Sequence, residues 1–284
     1  IVVAQVNKNM PRTHGESFVH VSDLDYIVEH DEPLIELLRG ELTEEDKKIG
    51  QYCADLVNDG DTLQLGIGSL PDAVLLSLYG KKDLGIHTEM FSESVMDLVN
   101  AGVINNSKKT LHKGKMVATF IMGSRALYDF IDDNPMVYMA PVDYVNDPYV
   151  IAKNDNMVSI NSCIEIDLSG QICSESVGLR QISASGGQVD YVRGTNMSKG
   201  GRAIIAVASA TKDGKTSKIV PFLNEGATVT TLRNDVTYVI TENGVAYLKG
   251  KTLQDRGREL IKIAHPNFRD SLIEEWERRY KAKF

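Results

Sequence analysis

From Thr62 to Thr241, short apolar runs rich in β-branched residues alternate with stretches whose apolar residues recur at helical spacing. The runs at 62–65, 84–88, 115–120, 136–139, 202–208 and 237–241 are too short for helices and read as strands, several of them buried on both sides. Between and after them, 71–78, 92–100 (stopped by Gly102) and 252–280 on either side of His265-Pro266 read as helices. Residues 158–161 and 165–168 are expected to flank a hairpin that continues into Gly170-Gln171-Ile172. Upstream, Thr43 followed by Glu44, Glu45 and Asp46 reads as an N-cap. The helix it opens carries Ile49, Cys53, Leu56 and Val57 on one face and ends at Asn58-Asp59-Gly60. This alternation predicts an α/β fold with an open, mostly parallel or mixed sheet and helices on both faces.

Charge divides the chain unevenly. Residues 1–45 hold ten Asp or Glu against three Lys or Arg, so minus seven of the total minus eight lies there. No basic stripe interleaves with aromatics, so nucleic acid is not expected as a partner. No apolar run approaches the roughly 18 to 20 residues that cross a bilayer, and the first residues lack the basic region of a secretory signal. Three cysteines without a C-x-x-C pair imply reduced thiols and a cytoplasmic protein. The chain opens on an apolar, strand-like run, 1–6, without Met. The expectation is that it begins inside a domain, that 1–45 is that domain's tail and crossing, and that 46–284 is a catalytic domain.

Four segments could carry chemistry. Gly66-Ile67-Gly68-Ser69-Leu70-Pro71 lies between a strand and a helix, where free N–H groups favour an anion. A plain tight turn fits the same residues. Glu89, in Gly85-Ile86-His87-Thr88-Glu89, falls at the carboxyl edge of a strand, where open α/β sheets hold ligands. A glycine turn followed about 20 residues later by an acid is also the dinucleotide pattern, although Pro71 stands where that pattern wants Gly or Ala. Ser185-Gly186-Gly187-Gln188 exposes backbone, and Glu242 precedes an Asn-Gly turn whose simplest reading is a hairpin. His14, His20, His87 and His112 show no metal-ligand spacing, and neither a G-x-S-x-G elbow nor a phosphate-binding loop with Lys-Ser/Thr occurs.

Taken in order, LGIGSLPDAVLLSL, LGIHTEMFSESVMDLVNAGVI, YVNDP, SINSCIEIDLSGQICSESVG, SGGQVDYVRG, SKIVPFL and VITENGVAYLKG resemble the acetyl-CoA hydrolase/transferase family. Among its members they are most similar to the 4-hydroxybutyrate and butyrate CoA-transferases, and the likeness runs over essentially the whole chain. It implies a class I CoA-transferase-like fold, with a further N-terminal domain in the longer family members. It implies Glu89 as a covalent nucleophile, Asn146 as its neighbour and Glu242 as a further active-site acid. By the same resemblance Ile67, Gly68, Gly186 and Gly187 supply oxyanion and substrate contacts, and Lys212 contacts CoA. The implied reaction passes CoA from an acyl-CoA to a short-chain carboxylate through a glutamyl-CoA thioester, with CoA as substrate and without metal or other cofactor. Acyl-CoA hydrolysis is the alternative within the family, and a nucleotide-binding domain the alternative outside it. The resemblance also implies a homodimer or larger homo-oligomer.

Overall fold

A computed structural model of the chain describes residues 1–66 and 68–284. Ile67, named above for oxyanion contacts, lies outside the described residues. A six-stranded sheet organises the molecule, in the order Gly244–Tyr247, Tyr238–Thr241, Arg202–Ala206, Met157–Ser162, Thr62–Leu65, Gly85–Ile86. Every neighbouring pair is parallel except the first, an antiparallel hairpin at one edge. This is the mostly parallel mixed sheet expected from the alternation.

Side-chain alternation along the strands builds two cores. Leu63, Leu65, Val158, Ile160, Ile204 and Ala206 face one way, against Ile49 and Cys53 of the Glu44–Asp55 helix and Val74 and Leu75 of the Ser69–Leu76 helix. Ala203, Ile205, Val207, Val239 and Ala246 face the other way. There they meet Val192 of Gln188–Met197, Leu260 and Ile261 of Leu253–Ile263, and Leu272 and Trp276 of Pro266–Tyr280. Both faces are therefore covered by helices, as a parallel sheet requires.

The Glu44–Asp55 helix begins in a reciprocal cap: the Thr43 hydroxyl accepts the Asp46 N–H, and the Asp46 carboxylate accepts the Thr43 N–H, each at 3.1 Å. Thr43→Ala removes one half of this box and is expected to cost about 1 kcal/mol, read as a lower urea midpoint at unchanged slope.

One expectation needs correction. Met157–Ser162 forms no hairpin with the segment after it; it is a central strand, parallel to Thr62–Leu65 on one side and Arg202–Ala206 on the other. The antiparallel pair is Glu165–Asp167 with Ile172–Cys173. Five consecutive buried residues mark 157–161 as a strand covered on both faces, a signal that outranks the nearby turn residues. The opening run forms a short ribbon, Val3–Val6 pairing in parallel with Tyr26–Glu29. That ribbon keeps its apolar side chains outside, Val3 being 60% and Ile27 51% exposed. Backbone bonds between His14, Glu16 and Met139, and the Arg12–Asp133 ion pair, tie this part of the chain to the rest.

Candidate active site

The parallel order brings the ends of Thr62–Leu65 and Gly85–Ile86 to one sheet edge, and the chain leaves the second strand through His87, Thr88 and Glu89. Each of these is fixed by backbone bonds: His87 N–H to Leu63, Thr88 N–H to Val117, and the Glu89 carbonyl accepting from both Thr119 and Phe120 at 3.0 and 3.1 Å. The Thr88 hydroxyl reaches the Leu65 carbonyl at 3.2 Å, so the glycine turn and the Glu89 segment are stitched together. Glu89 is half-buried, and its Oε2 accepts the Gly187 N–H at 3.1 Å.

Gly187 caps the N-terminus of Gln188–Met197, so the carboxylate sits where free N–H groups and the helix dipole favour negative charge. Its φ of −83° suits any residue. What it lacks is space: a Cβ there would lie 2.5 Å from Glu89 Oε2 and 2.5 Å from Asn146 Nδ2. Asn146, at the end of the Val142–Val145 helix, is buried, and its Oδ1 has no hydrogen-bond partner among the described residues. Glu89, Asn146 and Gly187 thus meet around one point.

A cavity of about 590 Å³ opens beside them, lined by Glu89, Asn146, Ser185, Gly186, Asp143, Asp147 and Asp190. Its lining holds four acids and neither Lys nor Arg. Burial, then the charge of Glu89, raises the Asp190 carboxyl above its ordinary value. Tyr191 lies well above the ordinary phenol value, by burial first and Glu89 second.

The other residues named from the sequence are not in the wall of this cavity. Gly68 caps the Ser69–Leu76 helix with φ +110°, a conformation that L side chains rarely adopt, although a Cβ there would meet only open space. Glu242 occupies the two-residue turn of the edge hairpin, where its carboxylate accepts the Ser209 N–H at 2.9 Å, the Ser209 hydroxyl, and the Asn243 amide at 3.1 Å. It shares the sheet's carboxyl edge with Glu89 but stands four strand intervals away, each about 4.8 Å. Lys212 is exposed in the turn closed by Thr211 and Thr216. Asp143, Asp147 and Asp190 were not singled out from the sequence. Asp147 and Asp190 do lie inside the Asn146–Pro148 and SGGQVDYVRG segments, and adjacency to those segments was the available signal.

Beneath Glu89, His87 is fully buried, with Nε2 2.9 Å from the Val145 carbonyl. Burial above all, and the Lys109 charge next, push it down to about 3, so it stays neutral. The unfolded chain binds a proton at this residue first as pH falls, and stability contributed here is lost between about 6.5 and 3. Accordingly, the His87 ring resonances are expected not to titrate between pH 5 and 8. A midpoint near 6.5 would contradict the burial. Burial also pushes the Cys163 thiol up to about 12, which leaves it unsuited to attack as a thiolate. Among the described residues no cluster of three or more His, Cys, Asp or Glu could hold a metal, and no helix is long and apolar enough to cross a membrane.

Comparison with known proteins places this geometry. The profile described as "Acetyl-CoA hydrolase/transferase C-terminal domain" matches residues 123–276, and that of the family's N-terminal domain matches residues 1–38. The chain is 64% identical to the 4-hydroxybutyrate coenzyme A transferase of Clostridium kluyveri, over 99% of this chain and 65% of that protein. It is 53% identical to the succinyl-CoA:cyclohexane-1-carboxylate CoA transferase of Geobacter metallireducens, over 96% and 62%. The crystal structure of a 4-hydroxybutyrate CoA-transferase from Porphyromonas gingivalis superposes with a TM-score of 0.88 at 52% identity, covering 98% of this chain and 66% of that one. The chain belongs to the acetyl-CoA hydrolase/transferase family. It spans somewhat less than two thirds of the length of these relatives.

Proposed function

We propose that this chain is the catalytic part of a CoA-transferase, moving CoA from an acyl-CoA to a short-chain carboxylate such as 4-hydroxybutyrate, butyrate or acetate, with Glu89 as nucleophile. The observation that carries the reading is the Glu89 carboxylate held by the Gly187 N–H, with the Asn146 amide beside it, at the wall of a cavity. One Glu89 oxygen attacks the thioester carbonyl, the C–S bond breaks, and CoA leaves as thiolate while an acyl-glutamyl anhydride forms. The thiolate then adds to the glutamyl carbonyl, the anhydride C–O bond breaks, and the first acid departs as its carboxylate. A second carboxylate reverses both steps. No proton has to be removed from the nucleophile, and each hard exchange is divided into easier ones.

The donor geometry fits the second addition. The Glu89 oxygen already bonded to Gly187 is the one that becomes the oxyanion when thiolate adds to the glutamyl carbon, so the donor needs no reorganisation. The Gly68 N–H and the Asn146 amide are the groups we assign to the oxyanion of the first addition, with Glu242 and Lys212 toward the CoA arm. Four acids in the cavity wall disfavour the phosphates of CoA there, which leaves the cavity to the uncharged pantetheine arm or the acyl group. The division into a tail at 1–45 and a catalytic domain at 46–284, a homo-oligomer, and a cytoplasmic location are parts of the same reading.

Acetyl-CoA mixed with the protein and a panel of carboxylates should yield new acyl-CoA only when an acid is added. CoA released without an acid would make the enzyme a hydrolase. Binding is tested separately by melting: a CoA ester at 100 times its Kd should stabilise the fold by about 2.7 kcal/mol, whereas NAD should not. Stabilisation by NAD alone would restore the dinucleotide reading of the glycine turn.

A further inference from the structure

On one side of Ile86 the sheet is regular: Gly85 N–H bonds to Asp61 and His87 N–H to Leu63. On the other side Gly85–Ile86 faces Met116–Ala118, and only one bridge, His87 with Val117, joins them. Thr88 N–H donates to Val117, so an unbroken parallel ladder would have Ile86 N–H donating to the Lys115 carbonyl. That bond is missing, and side chains from the intervening loop satisfy both of its ends. Asn106 Oδ1 accepts the Ile86 N–H at 2.9 Å. Lys109 Nζ donates to the Lys115 carbonyl at 2.7 Å and, across the gap, to the Ile86 carbonyl at 2.6 Å.

Lys109 is only 4% exposed, and no ion pair among the described residues includes it. A buried lysine without a carboxylate is costly. The titratable groups around it are His87 on the strand and His112 in its own loop, which in turn meets the Tyr144 hydroxyl at 2.7 Å. Burial pushes Lys109 down to about 7, and a neutral amine has two N–H groups for the two carbonyls present. Its stem crosses Gly85 so closely that a Cβ there would lie 2.4 Å from Lys109 Cγ.

We propose that Lys109 is a positioning residue: with Asn106 it splices the strand ending at Ile86 to the strand beginning at Met116, and so sets where the segment carrying Glu89 leaves the sheet. Its catalytic weight rests on the reading of Glu89 as nucleophile, while the splice itself does not. Glu89 lies three residues beyond the splice, and its carbonyl is bound by Thr119 and Phe120, just beyond the other spliced strand. A shift between the two strands therefore moves the carboxylate relative to Gly187.

Hydrogen exchange on the full chain tests the splice without reference to activity. In Lys109→Met the amides of Thr88, Thr119 and Phe120 should exchange at least 10-fold faster, while those of the 238–247 hairpin keep their wild-type rates. Gly85→Ala, which displaces the lysine stem without removing its donors, should reproduce the effect. The double variant should be no worse than Lys109→Met alone, since both act on one interaction. Lys109→Gln, an uncharged two-hydrogen donor on a shorter stem, should recover part of the protection. In the transfer assay Lys109→Met should lower kcat about 10-fold and leave KM for acyl-CoA within about 3-fold, the pattern of lost positioning rather than lost binding. Unchanged exchange at Thr88, Thr119 and Phe120, or equal loss of protection across the whole chain in every variant, would overturn the proposal. If the wild type forms no covalent CoA adduct, the nucleophile reading fails while the exchange result stands or falls independently.

Discussion

Replacing Glu89 by glutamine is expected to remove CoA transfer almost completely, by at least about 10³-fold in kcat, because a covalent route leaves nothing to fall back on when its nucleophile is gone. The amide oxygen can still accept the Gly187 N–H, and the neighbouring backbone bonds to Thr119 and Phe120 do not involve the side chain. Stability should therefore stay within about 0.5 kcal/mol of wild type, the range for side chains outside the core. The decisive measurement is mass spectrometry of the protein mixed with acyl-CoA and quenched. An adduct of CoA mass should map to the peptide containing Glu89, disappear in Glu89→Gln, and be reducible by borohydride in the wild type. An adduct on any other residue would remove Glu89 from its role.

Gly187→Ala is the second large effect. The added methyl would stand 2.5 Å from both Glu89 Oε2 and Asn146 Nδ2, closer than van der Waals contact allows, so the carboxylate or the amide must move. Because φ at this position is −83°, alanine introduces no backbone strain, and the helix it caps should persist. The loss is then of geometry at the reacting carboxylate, of the order seen when one oxyanion donor is removed, about 10² to 10³ in kcat. Far-ultraviolet circular dichroism and the melting temperature should be close to wild type. Retention of full activity would mean that the close packing of Glu89 and Asn146 against Gly187 does not set the reacting geometry.

Local signals made the fold largely legible. Thr62–Leu65 and the Pro266–Tyr280 helix follow from short-run length and from Pro at the first helical turn. The Asn243-Gly244 pair did mark a hairpin, with Thr241 opposite Gly244. What local signals could not give was partnership. The 157–162 strand looks like half of a hairpin until its parallel neighbours, 95 or so residues before it and 45 after it, are seen to cover both its edges. At the site, the resemblance drew attention to Glu89, Asn146 and Gly187 together. Their spacing alone could not, since they are 57 and 41 residues apart in sequence and meet only at the N-terminus of the Gln188–Met197 helix. Asp143, Asp147 and Asp190 escaped notice for a different reason. An acid at the N-cap or in the first turn of a helix is ordinary, and its facing a cavity is a property of packing, invisible in one dimension. Lys109 was hidden likewise: among the basic residues of a hydrophilic loop, nothing local distinguishes the one whose amine is buried.

The ribbon of Val3–Val6 and Tyr26–Glu29 has a consequence for handling this chain on its own. Parallel strands normally lie under helices on both faces, yet here Val3, Val6, Tyr26, Ile27 and Val28 are each about half or more exposed. Two strands also leave two open backbone edges, each a template for further strand addition. The ribbon therefore combines greasy faces with adhesive rims, the pairing that drives self-association as concentration rises. The acidic residues that share this part of the chain work against it through mutual repulsion between molecules, and salt weakens that repulsion first. For a chain of residues 1–284, added salt is therefore expected to raise light scattering at a given concentration.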